Sequence, residues 1–159
     1  PEQYRHKIES GLVVVLDNVR SAHNVGSVMR TCDAFGIDRI FLCGICAVPP
    51  SAEIHKSALG AEDSVPWEHC ESTLDAVRRL REEGYVVVSA EQTVHSVKLG
   101  AFRRDPSLRY ALVFGNEVDG VQQSVVDASD FCLEIPQYGT KHSLNVSVSA
   151  GVVLWQFIL

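Results

Sequence analysis

Apolar and polar positions come in blocks along this chain. Residues 12–16 form an unbroken apolar run, the pattern of a strand buried on both faces of a parallel sheet. Residues 39–43, 85–90, 110–114 and 131–135 read the same way, and Pro136 stops the last of them. Amphipathic stretches lie between. Asn24 reads as an N-cap, and Val25, Val28, Met29, Cys32 and Phe35 follow it as a stripe at helical spacing. Gly26, Arg30 and Asp33 fall on the opposite face, and Gly36 ends the helix. Ser72-Thr73-Leu74-Asp75 resembles a capping box. It predicts a helix with Leu74, Val77 and Leu80 inward and Arg78, Arg79, Glu82 and Glu83 outward. Shorter helices are predicted over 51–59 and 124–128, with an extended piece over 64–67 and a polar lead-in arm or helix over 1–10. The apolar segment reaching Leu159 reads as a last helix, with Ser143, Asn145 and Ser147 as candidate caps. Strand and helix alternate throughout. The fold class is therefore α/β, a mostly parallel sheet flanked by helices, in one domain over 1–159.

Composition narrows the picture. A chain of 159 residues is large enough for one real core. The net charge of −6 argues against a general nucleic-acid coat but leaves room for a local basic patch. Apolar runs fall well short of a membrane span, and the start shows no secretory pattern. Five cysteines without secretory context point to reduced thiols and a cytoplasmic location. A start at Pro1 without Met and an end on an apolar helix suit a piece trimmed from a longer chain.

In parallel α/β folds, ligands sit at the carboxyl ends of strands. Three polar segments occupy that position: 17–30, 115–120 and 136–145, with the long loop after Ala90 as a fourth candidate. In the third, Gly139 can take a positive φ, and exposed N–H and hydroxyl groups suit a polar ligand. Cys43-Gly44-Ile45-Cys46 could bind zinc or do redox work, but no second such pair exists, and His55, His69 and Cys70 lie at no standard zinc spacing. The two read as strand-end core cysteines, and no metal is expected. Of two basic clusters, Arg78, Arg79 and Arg81 read as a solvated helix face. Arg103, Arg104 and Arg109 are the better candidates for phosphate contacts. Tyr138 and Phe102 could stack on a base, and His23 and His142 flank the site loops.

Three stretches then carry a family resemblance. Asn24-Val-Gly-Ser-Val-Met-Arg30-Thr-Cys-Asp-Ala-Phe-Gly36 resembles the first motif of the SpoU (TrmH) family of RNA ribose 2′-O-methyltransferases. Val113-Phe-Gly115-Asn116-Glu117-Val-Asp-Gly120 resembles the second, and Ile135-Pro136-Gln137-Tyr-Gly139 with Ser143-Leu144-Asn145-Val146-Ser147 resembles the third. Val118 stands where the family often has Gly, and Gln137 where it often has Met. The resemblance implies a C-terminal trefoil knot of the SPOUT type, against the usual rule for chain connections. It also implies S-adenosylmethionine as cofactor and a homodimer whose sites borrow residues from the partner. By position, Asn24, Arg30, Glu117, Ser143 and Asn145 match the catalytic set. Gly115, Ile135 and Leu144 match cofactor-holding positions, and Glu91 adds a further wall. The expected substrate is RNA, with tRNA slightly ahead of rRNA. The length leads us to expect a minimal catalytic domain, without the extra RNA-binding domain or gripping helices that some relatives carry. Two other classes stay open: a non-catalytic RNA- or nucleotide-binding module on the same scaffold, and a nicotinamide-binding Rossmann domain. The second lacks the G-x-G-x-x-G expected after the first strand.

Overall fold

A computed structural model describes residues 9–141 and 143–159. Most of the expected lead-in segment and His142 therefore lie outside the described residues. Among those described, seven strands form one sheet in the order β3-β2-β1-β6-β4-β7-β5. The strands are β1 (Leu12–Asp17), β2 (Arg39–Cys43), β3 (Trp67–Cys70), β4 (Val86–Ala90), β5 (Val97–Lys98), β6 (Tyr110–Phe114) and β7 (Phe131–Glu134). Every pairing between them is parallel. The helices are α1 (Ala22–Ala34), α2 (Ala52–Ala58), α3 (Thr73–Glu82), α4 (Gln123–Ala128) and α5 (Val146–Ile158).

The unbroken apolar runs of β1, β2 and β6 are buried because the sheet is covered on both sides. Leu12, Val14 and Leu16 pack with α1, α2 and α5 on one face. Val13 and Val15 pack with Val77 and Leu80 of α3 and Val125 of α4 on the other. The result is a three-layer α/β/α sandwich.

Several local expectations need correction. Ser21 caps α1, its hydroxyl accepting from the Asn24 N–H at 3.1 Å. Asn24 lies inside the first turn, and its amide is free for other work. Gly26 is not on a solvated face. It is buried, and a Cβ there would meet Ser57 Oγ at 2.0 Å and the Ile54 carbonyl at 2.5 Å. The missing side chain lets α2 press against α1. The extended piece expected over 64–67 lies three residues later, as β3, because a 3-10 turn occupies Ala61–Asp63. Gly139 is not among the residues with positive φ.

The second basic cluster also serves the fold. Arg104 donates to the Phe157 carbonyl at 3.0 Å and the Ser10 carbonyl at 2.5 Å, a cation in the last turn of α5. Arg103 donates to the carbonyls of Gly100 and Phe102. Arg109 donates to the Glu83 carbonyl and stacks over Tyr85 at 4.3 Å. These arginines are engaged with their own chain, so they are poor phosphate contacts. Phe102 is likewise a packing residue, its ring 4.9 Å from Phe157 and 5.6 Å from Phe131. In the first cluster, Arg79 pairs with Glu68 and Arg81 with Asp130. No helix of the described residues is long and apolar enough to cross a membrane.

Candidate active site

A cleft of about 440 Å³ opens at the carboxyl ends of β4, β6 and β7. Its walls come from Glu91 after β4, the 115–120 loop after β6, Leu133 to Gln137 around the end of β7, and Ser143 to Ser149 at the start of α5. It therefore holds Glu91, Gly115, Glu117, Ile135, Ser143, Leu144 and Asn145, seven of the nine residues expected from the sequence.

The 115–120 loop is closed on itself. Asn116 and Gly120 exchange backbone hydrogen bonds at 3.0 and 2.9 Å, and the Asn116 side chain accepts from the Val118 and Asp119 N–H groups. Gly115 lies so close to this return that a Cβ would meet Gly120 C at 2.1 Å. Gly120 itself has φ +71°, and a Cβ there would meet the Glu91 carboxylate at 2.5 Å. Val118, where the family often has Gly, is exposed and outside the positive-φ region, so its side chain carries no steric cost.

Side chains then lace this loop to its neighbours. Asn116 Nδ2 donates to the Asn18 carbonyl at 2.6 Å. The Glu117 carboxylate accepts from the Ser21 and Arg20 N–H groups at 3.1 and 3.3 Å. Burial alone would favour the neutral acid of Glu117. Its own backbone N–H, those of Ser21 and Arg20, and the Asn24 amide outweigh that and hold it below the ordinary glutamate value. Asn24 also accepts from Asn145 Nδ2 at 3.3 Å. Asn145 in turn caps α5, its Oδ1 accepting from the Ser147 N–H at 2.9 Å and hydroxyl at 2.5 Å. One buried amide, Asn24, thus touches both the second and the third motif.

Arg30 is placed differently. It sits on the exposed side of α1, does not line the cleft, and makes no hydrogen bond or ion pair among the described residues. Tyr138 is exposed and does not line the cleft. Asn116, Asp119, Glu134 and Gln137 belong to the walls but were not singled out from sequence. Asn116, Asp119 and Gln137 lie inside the family motifs, whereas Glu134 at a strand end carries no sequence signal.

Cys43 and Cys46 are buried. Burial pushes the Cys46 thiol up to about 11 and the Cys43 thiol higher still, so neither is a ready thiolate. Cys46 donates to the Leu16 carbonyl and accepts from the Val19 N–H. No group of three or more His, Cys, Asp or Glu able to hold a metal occurs among the described residues.

The SpoU rRNA Methylase family model matches residues 11–155, and the chain belongs to that family. It is 37% identical over 152 residues to the 23S rRNA (guanosine-2′-O-)-methyltransferase RlmB of Nitrosomonas europaea, covering 93% of this chain and 56% of that protein. The namesake from Neisseria meningitidis is 32% identical, with 92% of this chain and 57% of that protein covered. Among solved structures, the AdoMet-bound rRNA methyltransferase from Sinorhizobium meliloti matches with a TM-score of 0.86 at 30% identity, over 99% of this chain and 59% of that one. The A. aeolicus TrmH/SpoU tRNA modifying enzyme matches with a TM-score of 0.83 at 30% identity, over 96% of this chain and 76% of that one. The chain spans little more than half the length of the curated relatives it matches.

Proposed function

We propose that this domain transfers a methyl group from S-adenosylmethionine to a ribose 2′-hydroxyl of RNA, working in the cytoplasm as a homodimer. The observation that carries this reading is the Asn24 amide. It joins Glu117 and Asn145, and so the three motif segments, at one cleft.

The cleft suits the cofactor by its chemistry. Leu133, Ile135, Leu144 and Val146 offer apolar surface. Glu91, Glu117, Asp119 and Glu134 line it without any Lys, Arg or His among the described lining residues. That combination fits an apolar body with a positive sulfonium. When bound, the cofactor supplies the electrophilic methyl group. Gly115, Ile135 and Leu144 would hold it, with Glu91 as a further wall. The chain's other residues position the nucleophile, since in-line displacement gains most from orientation. Glu117 and Asn24 fix the start of α1, while Ser143 and Asn145 present polar groups at the start of α5. Arg30 clamps the neighbouring phosphate bidentately, because a guanidinium is a fork of donors and not a base. The ribose proton leaves through phosphate or water.

Arg30 is unpartnered among the described residues of one chain, which supports a site completed by a second copy. The face for that copy is on α5: Val148 (51% exposed), Val152 (40%), Trp155 (54%) and Leu159 (76%) form an apolar stripe. Trp155 touches Phe35 at the end of α1, ring centroids 5.9 Å apart, so the stripe continues toward the helix that carries Arg30. The trefoil knot belongs to the same reading, supported by the match to SpoU structures over nearly the whole chain.

The substrate is tRNA or rRNA. The RlmB relatives, 23S rRNA guanosine methyltransferases, weigh toward a ribosomal guanosine and away from the tRNA preference of the sequence. Calorimetry with S-adenosylmethionine against NAD tests the cleft: saturable binding of the first alone is expected, and binding of neither ends the proposal. Mapping 2′-O-methyl nucleotides lost from cellular RNA in a deletion strain identifies the substrate. No lost methyl group would favour a non-catalytic binding module.

A further inference from the structure

The most densely hydrogen-bonded carboxylate of the core lies outside the set of residues matched to the family. Asp17, at the end of β1, is fully buried and has no cation beside it among the described residues. Its carboxylate is saturated by donors instead. Oδ1 accepts from Thr73 Oγ1 at 2.6 Å, Gln122 Nε2 at 2.6 Å and Asn18 Nδ2 at 3.1 Å. Oδ2 accepts from the Gln122 backbone N–H at 2.8 Å. Gln122 is thus gripped twice, by backbone and by side chain. The residue before it is gripped as well, the Val121 N–H donating to Glu91 Oε2 at 3.0 Å.

Buried carboxylates without a counter-charge persist only when their lone pairs are used. Two of the four bonds come from Gln122, two residues after the last lining residue of the 115–120 loop, and the others from Asn18 and from Thr73 at the start of α3. Gln122 closes the return of the 115–120 loop, so its position fixes Gly120 and Gly115. Glu117 and Asn116 tie the same loop to Arg20, Ser21 and Asn18. The two loops are therefore cross-laced at both ends.

We infer that Asp17 and Gln122 are positioning residues for the methyl-donor cleft, holding the 115–121 loop in register with Glu91. The inference rests on the donor reading of that cleft. A reciprocal exchange tests it. In D17N one edge of the new amide presents hydrogens where the carboxylate offered only acceptors, so the Gln122 backbone N–H and Asn18 Nδ2 can no longer both be satisfied. In Q122E two carboxylates meet at the distance where one hydrogen bond stood. In the double variant D17N/Q122E, the amide introduced at position 17 donates to the carboxylate introduced at position 122. The carbonyl oxygen of that same amide keeps the backbone N–H of residue 122.

Each single variant is expected to weaken S-adenosylmethionine binding about tenfold or more by calorimetry, and the double variant to recover most of the loss seen in Q122E. Q122A, which leaves the buried aspartate in place, should raise KM for the donor more than it lowers kcat. Hydrogen exchange at residues 120–122 reads the clamp without any ligand: faster exchange there in Q122A, with β1 and β6 unchanged, is expected. Unchanged exchange at those amides overturns the clamp. Changed exchange with unaltered donor binding overturns its role in the cleft. If the wild-type chain binds no donor, the donor reading fails and with it the assigned role, while the exchange data still decide whether the clamp exists.

Discussion

Helices α3 and α5 cover opposite faces of the sheet, yet only α3 is finished by solvent. Its inner positions, Ala76, Val77 and Leu80, are buried, and its outer face carries Arg78, Arg79 and Glu82. Helix α5 buries Val146, Ala150, Val153, Leu154 and Phe157 against the sheet, but its outer face is again apolar, with Val148, Val152 and Trp155. A helix that is apolar on both sides is complete only when both sides are covered. The outer face of α3 is charged and that of α5 apolar, and in the dimer we propose it is the α5 face that meets the second copy. Arg30, exposed on the helix next to α5, would lie near the same proposed contact.

The largest expected effect comes from Val152→Glu. A charge in the middle of the stripe should convert a dimer to a monomer in sedimentation and lower methyl transfer by about a hundredfold, while thermal stability of the monomer stays close to wild type. A dimeric V152E with full activity would show that α5 needs no cover. Next is Arg30→Lys, which keeps the charge but loses the fork. Methylation should fall by roughly two orders of magnitude with donor binding unchanged, and near-normal turnover would remove the clamp from the mechanism. Asn145→Ala should cost about 1 kcal/mol through the lost cap and about tenfold in activity through the lost link to Asn24. Denaturant titration beside single-turnover rates separates the two.

A smaller effect concerns pH. Glu117 is held below the ordinary glutamate value in the folded state. Its contribution is therefore complete above the unfolded value and disappears as pH falls through the lowered folded one. Because the side chain is largely exposed, screening keeps this below about 1 kcal/mol. Glu117→Gln should flatten the acid limb of the stability profile by that amount, measured by thermal melts across the acid range, and an unaltered limb would contradict it. The smallest effect belongs to α3. Arg78→Glu should change stability by less than about 0.5 kcal/mol and leave methylation untouched. A clear loss of RNA affinity in that variant would mean that α3, too, is a contact face.

Periodicity revealed the central strands because they are buried on both sides and read as apolar runs, whereas it misplaced the partly exposed β3 and missed the two-residue β5. The bounds of β2 and β6 fall where the runs begin and end. Local chemistry was less clear where two residues competed for one task. Ser21 and Asn24 are both good caps, and only the tertiary partners Glu117 and Asn145 reveal why the asparagine is left over. Gly26 looked solvent-facing because a helical wheel knows nothing of α2 crossing there. Arg103, Arg104 and Arg109 looked like a phosphate site because sequence records charge and omits the carbonyls that occupy it. Asp17 was invisible for the same reason, since its four donors come from residues up to 105 positions away. Motif matching supplied most of the cleft, and the lacing between the motifs came only with three dimensions.

Arg104 has one more implication. Its guanidinium spans the carbonyls of Ser10 and Phe157, so polypeptide entering the domain and polypeptide leaving it pass through the same small area of surface. A short linker between those two points should close the chain into a ring and allow new ends to be cut elsewhere.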